Sequence, residues 1–167
     1  MHQKARAYIK KLQLKKHPEG GYYREVYRSA EKILPDRLPQ RYKSNRNFST
    51  SIYFLLEGNQ FSAFHKLKSD ELWHFYDGSD LKVYIINPNG DLTVSNLGRS
   101  SDAEFQIIIE KKCWFAAEVE DKNSFSLFGC TVAPGFDFED FKLGRREFLL
   151  KKFPQHKSLI SRLTRLL

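Results

Sequence analysis

A chain of 167 residues, 41% hydrophobic and 29% charged, is long enough to bury a core and is expected to form one soluble domain. Its longest apolar runs are about five residues, against the roughly 20 needed to span a bilayer, which excludes a transmembrane helix and makes a membrane partner unexpected. The formal charge of +8 collects at the two ends without zinc-finger spacing, a recognition helix or an aromatic RNA platform, so it reads as solvated surface and nucleic acid is not an expected partner.

The N-terminal "MHQKARAYIKKLQL" lacks an apolar h-region, so no signal peptide is read there. Cys113 and Cys130 lie in aromatic or apolar runs and are expected as buried thiols, which points to the cytoplasm. Ala5, Tyr8, Ile9 and Leu12 recur at spacings of three and four, predicting a helix over Gln3 to Leu12. Pro18 and the Gly20–Gly21 pair break it. Alternation in "YYREVYR" then predicts a strand over 22–28, and the polar stretch Glu31 to Asn47 a long loop.

From Ser49 onward the pattern is short strands: Thr50–Glu57, Gln60–His65, Leu72–Tyr76, Leu81–Ile86, Leu92–Leu97, Phe105–Ile109, Trp114–Ala117 and Phe125–Cys130. Turn signals such as "EGN", "DGSD" and "NPNGD" separate them. Spacing of about ten residues, with no crossover helices between, argues an antiparallel sandwich or barrel. A tail from Glu139 mixes a loop with a short helix in "HKSLISRLTRLL", where Leu159, Ile160, Leu163, Leu166 and Leu167 keep helical spacing.

Four stretches, "HPEGGYYREVYRS", "STSIYFLLEG", "SAFHKLKSDELWHFYDG" and "GCTVAPGFDFEDF", resemble the cupin superfamily. Within it they are similar to the small cupin-like family described as a domain of unknown function. The resemblance implies an all-β double-stranded β-helix, the cupin jelly roll, with short flanking helices and a central pocket. It also implies a single domain over 1–167, with its core at about 14–154 and a helical tail at 155–167, and a homodimer.

The metal-binding pattern of the superfamily carries over only in part. His65 takes the first histidine position, Glu71 the glutamate and Gly78 the closing glycine, but the other histidine positions fall on Leu67 and near Phe115. Iron or zinc wants three protein ligands. A divergent metal site would need His65, Glu71 and His74, although alternation along a strand sends His74 to the other face. No cofactor is therefore expected.

His65 beside a carboxylate is suited to general-base work, with Glu71 fixing its tautomer. Tyr53, Tyr76 or Tyr23 would supply the phenol that returns the proton, an arrangement resembling the metal-free sugar-nucleotide epimerases of the superfamily. Around this centre, Arg24, Glu19, Tyr23, Ser49, Ser51, Trp73 and His74 are the candidate ligand-binding residues. Arg24 is suited to an anion and Ser49 and Ser51 to a polar group. The favoured reading is metal-free, epimerase- or isomerase-like proton transfer on a small polar metabolite such as a sugar or sugar nucleotide. A non-catalytic small-molecule binding module and a divergent metal-dependent enzyme are its rivals.

Overall fold

The computed structural model describes residues 2–166. The elements run α1 (Gln3–Lys11), β1 (Lys15–Lys16), β2 (Tyr22–Arg28), β3 (Lys32–Ile33), β4 (Arg46–Asn47), β5 (Thr50–Glu57), β6 (Phe61–Lys66), β7 (Asp70–Gly78) and β8 (Leu81–Ile86). There follow β9 (Leu92–Leu97), β10 (Gln106–Ile109), β11 (Trp114–Val119), β12 (Phe125–Ala133), β13 (Lys142–Leu143), α2 (Arg146–Lys152) and α3 (Lys157–Arg162). Six strands form one sheet in the order β1-β2-β5-β12-β7-β10, and five form a second in the order β13-β6-β11-β8-β9. Pairing in both is antiparallel throughout. The jelly roll implied by the resemblance is the fold found.

Alternation along the strands builds the interior. Phe54 and Leu56 of β5, Trp73 and Phe75 of β7, Phe115 and Ala117 of β11 and Phe128 and Cys130 of β12 meet in one buried cluster. Two smaller clusters lie outside the sandwich. The predicted stripe of α1 packs Ala5, Tyr8, Ile9 and Leu12 onto Leu55, Phe125 and Leu127. Leu149 and Phe153, with Ile160 and Leu163, cover Phe64, Ile86 and Trp114 on the far side of the second sheet.

Four differences from the sequence reading have local causes. The Glu31 to Asn47 loop contains the β3–β4 ladder, pairing Lys32 with Asn47 and Ile33 with Arg46, which is too short to show a pattern. Strand β7 begins two residues earlier and ends two later than expected, and β12 runs three further, because the added ends find partners across the ladder, Gly78 with Ser126 and Asp70 with Ala133. Helix α2 shows no stripe in sequence because Leu149 is its one buried residue. The tail helix ends at Arg162: Leu163 still reaches the core, Leu166 is exposed, and Leu167 lies outside the described residues.

Candidate functional site

The turn before β2 positions the first member of the site. Gly20 and Gly21 have φ of 121° and 71°, a left-handed region that glycine enters without strain. A Cβ on Gly21 would stand 2.6 Å from the carbonyl oxygen of Leu55, so the turn sits hard against β5. That approach folds Glu19 inward, where its carbonyl accepts from the Ala63 N–H at 2.9 Å. Ser62 Oγ donates to Glu19 Oε1 at 2.8 Å, and His65 Nε2 stands 3.0 Å from Glu19 Oε2.

Ser62 and His65 are an odd number of residues apart, so simple alternation would put them on opposite faces. The ladder between β6 and β11 pairs Phe115 with His65 and Ala117 with Ser62, three residue steps along β6 against two along β11. This bulge turns both side chains to Glu19. The other ring nitrogen of His65, Nδ1, donates to Ala63 O at 2.8 Å, which fixes the tautomer and leaves Nε2 as the acceptor. Burial raises the Glu19 carboxyl well above the ordinary range, with the nearby Glu71 adding to the rise. Burial likewise pushes the His65 imidazole down to about 3. Carboxyl up and imidazole down means a neutral pair, with the Glu19 carboxylic acid donating to His65 Nε2. His17 lines the same wall, its Nδ1 accepting from Glu19 N at 3.3 Å, and burial lowers it to about 4.

Strand β7 supplies the opposite chemistry. Glu71, Trp73 and Phe75 alternate inward and are buried. Glu71 Oε2 and Trp73 Nε1 have no hydrogen-bond partner. Burial lifts the Glu71 carboxyl to about 7, against the downward pull of the Trp73 indole and the Cys130 thiol nearby. Each unpartnered buried polar atom costs about 1–3 kcal/mol.

These groups line a cavity of about 330 Å³ between the two sheets. Glu19, Tyr23, His65, Glu71 and Trp73, among the candidates from sequence, line it. Phe136, Phe138 and Phe141 close one side, with Phe138 ring-stacked toward His17 at 6.3 Å. Lys15, Glu25, Arg28 and Cys130 also contribute lining and were not singled out. The alternation of Tyr23 and Glu25 on β2 was the one signal for Glu25. Cys130 required the β12–β7 pairing, which sequence does not give.

Six candidates lie elsewhere. Thr50, Ile52 and Phe54 face the cavity, so Ser51 and Tyr53 of β5 face outward. Ser51 Oγ meets Thr131 Oγ1 at 3.4 Å, and Ser49 Oγ donates to Val132 O at 3.1 Å. His74 and Tyr76 share that outer face: His74 Nε2 lies 3.2 Å from Thr131 Oγ1, and the Tyr76 ring is 5.9 Å from that of Tyr53. Arg24 clasps the end of α1, donating to Leu12 O at 3.0 Å, and so is no anion clamp of the cavity. The loop over 31–47 contributes no lining residue either. Nor does Glu71 orient His65: that position belongs to Glu19.

The donor set does not fit a resident metal ion. Both nitrogens of His65 are engaged by Ala63 and Glu19. Leu67 is buried where a second histidine would stand, and the Phe115 ring packs 4.0 Å from that of His65. Among the described residues no group of three or more His, Cys, Asp and Glu side chains is arranged to hold a metal.

Comparison with known proteins agrees with this architecture. The family model described as "Cupin superfamily (DUF985)" matches residues 6–144. The crystal structure of protein SO0799 from Shewanella oneidensis superposes with a TM-score of 0.86 at 40% identity, covering 95% of this chain and 96% of that one. A hypothetical protein from Leishmania major gives 0.87 at 30% identity over 97% and 99%. The uncharacterized protein YML079W of Saccharomyces cerevisiae is 29% identical over 86% of this chain and 76% of its own length.

Proposed function

The chain belongs to the DUF985 family of the cupin superfamily, and on that premise we propose that its cavity binds a small polar metabolite and moves a proton on it without a metal. The observation that carries this reading is the unpartnered Glu71 Oε2, on a carboxyl poised at about 7 in a cavity shared with the Glu19–His65 pair. A general base or acid works best when its pKa lies near the working pH, and Glu71 meets that condition. Two kinds of titratable group with pKa values pushed apart in one pocket also suit an acid and a base.

The chemistry is that of an isomerase or epimerase. Ionised Glu71 takes a proton from a carbon next to a carbonyl, and the electron pair of the broken C–H bond moves onto the carbonyl oxygen. The Tyr23 phenol, which lines the same cavity, donates to that oxygen, because the single Glu19 proton is already given to His65 Nε2. Collapse of the enediolate returns the proton from Glu71 to the same or the neighbouring carbon, which regenerates the ionised carboxylate. Glu19 and His65, each satisfied by the other and by Ser62 and Ala63, form a neutral polar wall beside the reacting carbon and exchange no proton with the substrate.

Incubation in D2O with hydroxy-carbonyl compounds tests the reading, since a turnover leaves deuterium on the substrate carbon. A compound that binds and never acquires deuterium would make the protein a binding module. The apolar side chains at Leu67 and Phe115 favour that second reading, because they remove the usual metal chemistry and keep the pocket.

Two finer expectations join the proposal. The outer face of the larger sheet carries Tyr53, His74 and Tyr76, and Ile108 beside Leu72 is 65% exposed there, which supports a second copy of the chain on this face. Cys113 and Cys130 are free and buried, which suits a reducing compartment such as the cytoplasm. No described helix is long and apolar enough to cross a membrane.

A further inference from the structure

The two unpartnered atoms of β7 specify more than a polar ligand. Trp73 Nε1–H only donates, and an ionised carboxylate at Glu71 only accepts. They are two residues apart on one face of one strand, both buried and both in the cavity wall. A single ligand group that satisfies both must donate and accept at once. A hydroxyl does so; an ammonium offers nothing to Trp73, and a fully ionised phosphate or carboxylate offers nothing to ionised Glu71.

Charge and size narrow the class. Lys15 and Arg28 are the two lysine and arginine side chains of the lining, and both are solvent-exposed. The Arg28 guanidinium is already closed on Glu25 at 2.7 and 3.0 Å and on Asn47 at 2.9 Å. The interior thus holds two carboxyls and two uncharged imidazoles, with Lys15 over the Tyr23 ring and Arg28 both at the exposed rim, a poor place for an anionic group. A volume of about 330 Å³ sits at the small end of ligand pockets, which run from about 300 to 1,000 Å³. Tyr23, Phe136, Phe138 and Phe141 give the flat apolar walls against which the C–H face of a ring packs.

We infer that the ligand is a neutral, polyhydroxylated compound of monosaccharide size, not a sugar phosphate, sugar acid or nucleotide sugar, and that one of its hydroxyls bridges Glu71 Oε2 and Trp73 Nε1. This inference rests on the reading of the cavity as a small-metabolite site and selects within it.

Isothermal titration of the full chain with glucose, galactose, mannose, fructose and myo-inositol tests it, set against glucose 6-phosphate, glucuronate and uridine diphosphate glucose. Saturable binding of at least one neutral compound is expected, with every charged one at least tenfold weaker. Trp73→Phe and Glu71→Leu are each expected to weaken the neutral ligand about tenfold, the loss of one hydrogen bond in a dry site. Glu71→Leu removes a buried carboxyl, so it reports even where Trp73→Phe does not fold. Tighter binding of a charged compound, no binding of any neutral one, or unchanged affinity in either folded variant overturns the inference. A neutral hydroxy-carbonyl sugar that binds without deuterium exchange defeats the proton-transfer reading and leaves the hydroxyl subsite standing; exchange on a charged compound does the reverse.

Discussion

Glu19 Oε2 and His65 Nε2 stand 3.0 Å apart, while His65 Nδ1 is held by Ala63 O at 2.8 Å. No free imidazole nitrogen remains to face a substrate, so the proton of this pair resides on the carboxyl. Nitrogen-15 spectra of the imidazole should show His65 neutral and protonated at Nδ1 from pH 8 down to pH 5, well below the ordinary histidine midpoint of about 6.5. A midpoint near 6.5 in those spectra would mean that His65 is open to water.

Glu71 makes stability depend on pH in a defined sense. Its folded pKa of about 7 lies above the unfolded value of 4.5, so its contribution is fully present below pH 4.5 and is lost as pH rises through 7. The shift corresponds to about 3 kcal/mol. Glu19 adds in the same direction, whereas His17 and His65, depressed to about 4 and 3, lose their contribution as pH falls below 6.5. Urea unfolding of Glu71→Gln should therefore gain on the wild type by about 2–3 kcal/mol between pH 5 and pH 8. Parallel curves for the two proteins would place the Glu71 carboxyl in solvent.

The segment that carries Phe138 and Phe141 is tied down from behind. Arg46, 2% exposed, donates through Nε and Nη2 to Asp140 at 2.6 and 2.7 Å, and Lys68 joins Asp140 at 2.9 Å. Arg46→Ala leaves Asp140 buried without its fork and is expected to cost about 3–5 kcal/mol. For a chain of this length the melting temperature should fall by about 6 °C or more. A change under 1 kcal/mol would show that the pair contributes little to holding the segment.

The outer face offers a control and a test of assembly together. Tyr53→Phe and Tyr76→Phe should leave ligand affinity within about twofold, as changes distant from a site do. Ile108→Lys, on the exposed edge strand β10, should shift the protein from dimer to monomer in sedimentation equilibrium at unchanged ligand affinity. A wild type that is monomeric at high concentration would remove that face from consideration as an interface.

The fold was legible because its signals are local. Strand β8 and strand β9 have their expected bounds, and the spacing of turns without crossover helices implied antiparallel sheets. Alternation was also enough to separate Glu71 and Trp73 from His74 on β7. The site was less legible, since its central pair depends on two features absent from any local pattern. One is the bulge that puts Ser62 and His65 on the same side of β6; the other is the Gly20–Gly21 turn that carries Glu19 across to them. Nearness in sequence paired His65 with Glu71, whereas tertiary contact pairs it with Glu19, 46 residues away. Tyr53 and Tyr76 misled for a related reason: aromatic residues suit either face of a sheet, and only register tells which.

Deuterium exchange with Glu71→Gln puts the account at greatest risk. Wild type and variant are incubated in D2O with a hydroxy-carbonyl sugar shown to bind both, and label at the carbon beside the carbonyl is followed by proton NMR. The account predicts label with the wild type and a rate lower by about 10²–10⁴-fold in Glu71→Gln, the usual contribution of a positioned acid or base. Equal rates in the two proteins would contradict it.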